Sequence, residues 1–270
     1  MLIEHDYPGF YVLIEGSDGS GKSVLSRALV NALAIANLSS LQTAEPMYSM
    51  YGELIRERFK SAKEADAFEL GFAFAADRQY HQNHVVVPAL KVGTTVVQDR
   101  GAISTLVYQG PVFGDDVHIL NKNVIKPDLI VLLACDEEAF RQRRGNGSNL
   151  YERMGFEGVK VEYYKHANNL FGLDDLNFYY TGTGNGSMAP DEIAWDLVTC
   201  IQEMKGAKMA VLNDDKAEKV VKVVMNNDAP VLITDEFDLF WRRTLVKKRL
   251  MDEGMGTDDA EAECLKQVPT

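Results

Sequence analysis

The stretch Phe10 to Leu33, FYVLIEGSDGSGKSVLSRALVNAL, constrains the fold most, because an apolar run enters a glycine-rich turn there and leaves as an amphipathic segment. Within it Gly16, Gly21, Lys22 and Ser23 fit the spacing GxxxxGKS. Glycines so placed let consecutive backbone N–H groups converge on a polyphosphate, the lysine reaches its terminal phosphates and the hydroxyl binds Mg²⁺. Tyr11, Val12, Leu13 and Ile14 read as a buried parallel strand, and Val24, Leu25, Ala28, Leu29, Ala32 and Leu33 recur at helical spacing. Strand, loop and helix in that order are the context the motif requires. A nucleotide-binding loop is therefore expected from Gly16 through Ser17, Asp18, Gly19, Ser20, Gly21, Lys22 and Ser23 to Val24.

With 270 residues and 46% hydrophobic content the chain can bury a large core, enough for one α/β domain and an addition. A formal charge of −12 argues against a general nucleic-acid binder, while leaving room for local capture of anions by clustered arginines. The cysteines, Cys135, Cys200 and Cys264, are odd in number and far apart, which favours reduced thiols over a disulfide framework. No leader is evident and no apolar run approaches about 18 residues. The expectation is a cytoplasmic protein that engages neither membrane nor nucleic acid.

Further strands are expected at Ser39 to Thr43, Thr94 to Gln98, Leu129 to Ala134 and Asn177 to Tyr180, alternating with helices near Gly52 to Lys60, Phe68 to His84, Val85 to Leu90 and Asp191 to Met204. That alternation implies a parallel sheet with right-handed crossovers. The third strand delivers Asp99 and Arg100 to its C-terminal end, the edge where open α/β sheets bind ligands. Beyond a boundary near Gly206 the rhythm changes, with short strands at Val220 to Met225 and Val231 to Thr234 and a helix near Glu236 to Met251. The fold expected is a P-loop three-layer α/β sandwich with a five-stranded parallel sheet in residues 1–205, and a small α+β extension in 206–270.

The order of motifs over residues 10 to 203 resembles the thymidylate kinase family. The opening IEGSDGSGKS is joined by FAADRQYH at 74 to 81, VPALKVGTTVVQDR at 87 to 100 and STLVYQG at 104 to 110. The resemblance implies that Phe74 and Arg78 receive the thymine base by stacking and by a base-edge hydrogen bond. It implies that Arg100 grips the acceptor monophosphate with help from Arg56, and that Asp99 organises Mg²⁺ with Ser23. Ser104 and Gln109 match positions facing the base, Tyr108 matches one crowding the 2′ side of the sugar, and Asp18 lies inside the loop against the acceptor. Gly19 stands where some members carry a loop arginine. By resemblance the lid, near 141 to 158, then supplies the charge, through Arg153 first and Arg143 second. Arg141 and Arg144 are equally readable as a solvated charge run.

The chain departs from the family pattern at Gly101, which replaces an aromatic or histidine, and at Ala44, Met47, Tyr48 and Ser49, which replace much of the REPGGT loop. Space at Gly101 is open either to a bulkier base or to filling from Met47 or Tyr48. The activity implied is transfer from ATP, with Mg²⁺, to a deoxynucleoside monophosphate, foremost dTMP, with Lys22, Asp99, Arg100 and the lid arginine as the catalytic set. Another deoxynucleotide, a nucleoside deprotonated by Glu15 or Asp99, or a nucleotide-controlled binding module are the alternatives. The resemblance also suggests a homodimer. His81 and His84 share a helical side but lack a third zinc ligand, and the basic residues from Trp241 to Arg249 read as a packed and solvated helix.

Overall fold

The computed structural model describes residues 2–61, 67–144, 151–171, 176–182 and 187–213. Five parallel strands, β1 (Phe10–Gly16), β2 (Ser40–Ala44), β3 (Thr95–Asp99), β4 (Leu129–Ala134) and β5 (Leu176–Tyr180), form one sheet in the order β2-β3-β1-β4-β5. β1 lies at its centre, with Phe10 opposite Thr95 on one side and Val12 opposite Leu129 on the other. Every residue of β1 is buried, as expected for a strand covered by helices on both faces. Edge strand β2 is only partly buried, which its sequence SLQTA reflects.

Alternation of side chains divides the core into two layers. Phe10, Val12 and Ile14 of β1 face α1 (Lys22–Ile35) and α8 (Pro190–Asn213), where Leu25, Leu29, Leu33, Ile193, Leu197 and Ile201 close over them. Each such side chain contributes roughly 1.5–3 kcal/mol by leaving water. On the opposite face α5 (Ala102–Phe113) and α7 (Tyr151–Phe171) bring Ile103, Val107, Val159 and Tyr163 against Ile130 and Leu132. Beside them α4 (Val87–Lys91) packs Leu90, with Val86, on Tyr11 and Val96. The result is the three-layer α/β sandwich.

The remaining helices are α2 (Met50–Ser61), α3 (Ala67–His81) and α6 (Glu137–Arg144). α3 and α4 are joined by a π-helical turn, Gln82–Val86, rather than by a break. Pro88 explains it: with no N–H to donate to His84 it interrupts the regular ladder, and Val87 N–H reaches back to the Gln82 carbonyl instead. A 3₁₀ helix, Gly114–Asn121, follows α5. Helix α8 runs on past Met204 and through Gly206 to Asn213. The short strands and the helix expected in the C-terminal extension lie outside the described residues. No helix among the described residues is long and apolar enough to cross a membrane.

Register fixes what meets at the C-terminal edge of the sheet. Ile14 and Ala44 both lie opposite Asp99, Gly16 lies opposite Leu133, and Ala134 opposite Tyr180. The loops that leave these strands therefore share one rim.

Candidate functional site

Gly16 ends β1 at φ 140°, and a Cβ there would sit 2.3 Å from the Leu133 carbonyl oxygen, so the strand can turn at this close approach only with glycine. The loop then curls so that Lys22 Nζ, buried at the start of α1, donates to the Gly16 and Ser17 carbonyls at 2.9 and 2.7 Å. Gly19, at φ 75°, has Phe140 of α6 3.3 Å from where its Cβ would be. A loop arginine at this position would need both a left-handed backbone and the space Phe140 fills.

Ser23 Oγ donates to Asp99 Oδ2 at 2.6 Å, whereas Asp99 Oδ1 is buried without a hydrogen-bond partner. A hydroxyl beside a buried carboxylate oxygen that lacks a donor is a donor set suited to a hard divalent cation. Asp99 and Ser23 are thus the residues that fit a metal.

The next two residues form a turn held from all sides. Arg100 adopts φ 69°, a left-handed conformation that costs a non-glycine residue about 1 kcal/mol or more. Its N–H donates to the Ile14 carbonyl at 2.9 Å and its own carbonyl accepts Gln98 Nε2 at 2.8 Å. The Gly101 N–H donates to Glu15 Oε1 at 2.8 Å, and the Gly101 carbonyl accepts Arg78 Nη2 at 2.9 Å. Glu15, fully buried, also takes the Ser104 N–H at 3.0 Å and the Ser104 hydroxyl at 2.7 Å, so its carboxylate caps the N-terminus of α5. Burial pushes the Glu15 carboxyl up from its ordinary range despite those bonds. So anchored, the turn aims the Arg100 guanidinium at the phosphate loop, where Nη2 forms an ion pair with Asp18. Nη1 donates to the Tyr163 hydroxyl at 3.2 Å and lies 3.4 Å from Ser104 Oγ. The Tyr108 ring is 5.7 Å from the guanidinium carbon.

A second polar cluster lies beneath the loop after β2. Arg78, 4% exposed on α3, donates through Nε to Glu45 Oε2 at 2.8 Å and through Nη1 to Asn121 Oδ1 at 2.6 Å. His81, wholly buried, lies 3.4 Å from Glu45 Oε1 and 2.6 Å from Thr43 Oγ1. Gln98 Nε2 reaches the same Glu45 oxygen at 3.0 Å. Burial pushes the Glu45 carboxyl up, but Arg78 and His81 outweigh it and hold it below the usual range. One turn back, Asp77 accepts the Met47 N–H at 2.9 Å and the Ser49 hydroxyl at 2.6 Å, and Ser49 Oγ accepts the Gly52 N–H at 3.0 Å to start α2. Arg56 ties the loop from the other side, donating through Nη2 to the Pro46 and Met47 carbonyls at 2.8 and 3.0 Å, while its Nη1 is buried without a hydrogen-bond partner.

On the lid side, Arg143 donates through Nη1 to the Gly19 carbonyl at 2.9 Å and to Thr181 Oγ1 at 3.3 Å, and through Nη2 to the Thr181 carbonyl. Thr181 Oγ1 in turn donates to the Ser20 carbonyl at 2.6 Å, clamping the loop after β5 to the phosphate loop. Arg141 pairs with Glu137 one turn away on α6. Arg153 lies in the first turns of α7; its side chain and that of Arg144 lie outside the described residues.

The family model for thymidylate kinases matches residues 14–184. The chain belongs to the thymidylate kinase family. It is 30% identical over 203 residues to the thymidylate kinase of Desulfotalea psychrophila, covering 73% of this chain and 96% of that one. With the enzyme of Brachyspira hyodysenteriae it shares 33% identity over 151 residues, 55% of this chain and 71% of the other. The solved structure of thymidylate kinase from Candida albicans superposes with a TM-score of 0.56 at 23% identity, covering 73% of this chain and 92% of that one, which shows the shared fold.

For a thymidylate kinase the positions expected from the motifs are distributed as follows. Lys22, Ser23, Asp99, Arg100, Asp18 and Ser104 come together at the rim. Phe74 is half-buried on α3, Gln109 buried on α5, and Arg78 joins this group to the rim through the Gly101 carbonyl. The space beside Gly101 is filled neither by Met47 nor by Tyr48, which is 91% exposed over Arg56. Leu13 Cδ1 and Gln98 Nε2 fill it, 2.9 and 3.4 Å from where a Cβ would stand. His81 is taken up by Thr43 and Glu45, and His84 stacks on Tyr80. Tyr163, Gln98, Asn121 and Thr181 were not singled out by the sequence, since each meets the site through a contact remote along the chain. Glu15, read there as a base for a nucleoside, gives both oxygens to the start of α5.

Proposed function

We propose that this thymidylate kinase family member transfers the γ-phosphoryl group of ATP to dTMP, giving ADP and dTDP. The observation that carries the reading is the anchored turn at Arg100, which faces its guanidinium toward Asp18 of the phosphate loop. A cation fixed at that rim suits an incoming phosphate, because a guanidinium fork matches phosphate oxygens in two directions. Arg56, with its buried and unpartnered Nη1, is the second donor for the same phosphate. Phe74 and Arg78 on α3, with Gln109 on α5, take the base, Tyr108 restricts the sugar, and the Ser104 hydroxyl is committed to Glu15 and Tyr163 instead.

An acceptor monophosphate is already ionised, so a strong general base is unnecessary. Catalysis rests on aligning two mutually repelling anions and neutralising the group in flight. Lys22 exchanges its carbonyl partners for the terminal phosphates, and the loop amides cradle the rest. Mg²⁺, for which Ser23 and Asp99 are the fitting ligands, would offset charge on the phosphate oxygens. Arg153 is the first candidate for the lid cation, and Arg143 the second. Glu15 is occupied as a helix cap, which favours a phosphate acceptor over a nucleoside needing deprotonation.

The protein acts as a homodimer in this reading, with Phe68 and Phe72 of α3, 49% and 54% exposed, as the apolar contact for a second copy. Free thiols at Cys135 and Cys200 fit a cytoplasmic enzyme. ADP release in a coupled assay with dTMP, dUMP, dGMP, dCMP and thymidine tests the reaction. dTMP is expected to be turned over best, and ADP release indifferent to every acceptor would refute transfer. Light scattering is expected to give a dimer that Phe72→Asp dissociates; a monomeric wild type would remove that part alone.

A further inference from the structure

The side chain that completes the surroundings of Arg100 comes from α7. Tyr163 is 1% exposed, and its ring meets Tyr108 edge to face with centroids 6.0 Å apart. Its hydroxyl accepts Arg100 Nη1 at 3.2 Å and lies 3.0 Å from Ser104 Oγ. Ser104 has one hydroxyl hydrogen, directed to Glu15 Oε2 at 2.7 Å. In its bond with Tyr163 the serine must therefore accept, and the tyrosine donate. A directed chain results, from Arg100 N–H to Tyr163 O–H to Ser104 O–H to the Glu15 carboxylate.

We infer that Tyr163 is a positioning residue for phosphate capture: set between Arg100 and Ser104, its hydroxyl fixes the direction in which the guanidinium points. This rests on the reading of Arg100 as the grip on the acceptor phosphate. The reason the chain matters is rotational. The backbone of Arg100 is locked by the turn, yet its side chain retains several torsions, and a phosphate site needs the fork pre-oriented. Asp18 holds one edge of the guanidinium and Tyr163 the other. Polarity within the chain is set at its far end, because the ionised Glu15 carboxylate can only accept from Ser104. Glu15 thus governs both the cap of α5 and the orientation of a hydroxyl it does not touch.

Two substitutions test this. Tyr163→Phe removes the acceptor for Arg100 Nη1 with little change in packing volume. Glu15→Gln keeps an oxygen for the α5 amides but presents an amide donor to Ser104, which turns the chain around and sets the Tyr163 O–H against the guanidinium. Steady-state kinetics with ATP and dTMP are expected to show the KM for dTMP raised about tenfold in Tyr163→Phe and in the same direction in Glu15→Gln. The KM for ATP is expected to stay within about twofold of wild type in Tyr163→Phe, since Lys22 and the loop amides keep their geometry. An unchanged KM for dTMP in Tyr163→Phe, or equal rises for both substrates, overturns the inference. Arg100→Ala separates this from the underlying reading: if it turns over dTMP normally the role of Arg100 fails, whereas if it loses dTMP while Tyr163→Phe does not, only the role of Tyr163 fails.

Discussion

Arg78 donates through Nη2 to the carbonyl of Gly101 at 2.9 Å, so a side chain of α3 holds the backbone beside Arg100. The same guanidinium is neutralised by Glu45 at 2.8 Å. The cluster around Glu45 and the turn at Arg100 are therefore one hydrogen-bonded unit, and damage to either should be felt in the other.

Arg78→Met should be severe, because it leaves Glu45 charged and buried without its principal partner, at a cost of about 3–5 kcal/mol. Adding Glu45→Gln should recover part of that loss. Urea denaturation of wild type, both single variants and the double variant gives the coupling. Strict additivity would show that the pair is not coupled in solution.

The acid limb of stability should depend on the same pair. The Glu45 carboxyl is held below its ordinary 4.5 in the folded protein, so its contribution is present above that value and is lost as pH falls through the lower folded value. The stability gap between wild type and Glu45→Gln should accordingly be widest near neutrality and narrow below pH 4.5. Melting temperatures across that range would show it, and a gap that widens on acidification would mean the opposite shift.

Two glycines should respond differently to the same change. In Gly16→Ala the new Cβ meets the Leu133 carbonyl oxygen at 2.3 Å, and backbone cannot yield. In Gly101→Ala it meets the end of the Leu13 side chain at 2.9 Å, which can move for roughly 1–3 kcal/mol. Expression and thermal melts should therefore show Gly16→Ala unfolded or nearly so and Gly101→Ala folded but weakened.

Stability and chemistry should separate at the far end of the sheet. Asp128 accepts the Tyr11 N–H at 2.7 Å and Lys208 Nζ of α8 at 2.7 Å, joining the last described helix to the central strand. Asp128→Ala should cost roughly 1–3 kcal/mol by leaving a strand amide without its bond. Turnover of the protein that remains folded should be unaltered, which unfolding curves and kinetics on one preparation would check.

What could be read without coordinates was local. GxxxxGKS, the apolar runs of β1, β3 and β4 and the Asp99–Arg100 pair are contiguous patterns, whereas the register that brings them to one rim is seen only in the fold. Partners remote along the chain carry no such signature. Tyr163 meets Arg100 across 63 positions and Thr181 meets Ser20 across 161, so no periodicity announces either contact. Gln98 looked like the end of a strand, and only the fold shows that its amide bridges Glu45 and the Arg100 carbonyl. Arg78 could be placed on α3 from the sequence, but its ion pair with Glu45 depends on how the loop after β2 folds back over α3.

The most direct measurement is acceptor-dependent ADP formation by the wild type and by a folded Arg100→Ala variant, with ATP and Mg²⁺ saturating. The geometry predicts that dTMP drives ADP release in the wild type and that the variant loses about a hundredfold or more in kcat/KM for dTMP. Near-normal transfer by Arg100→Ala, or ADP release in the wild type that ignores the acceptor, would contradict the assignment of this rim as the place where the phosphate is received.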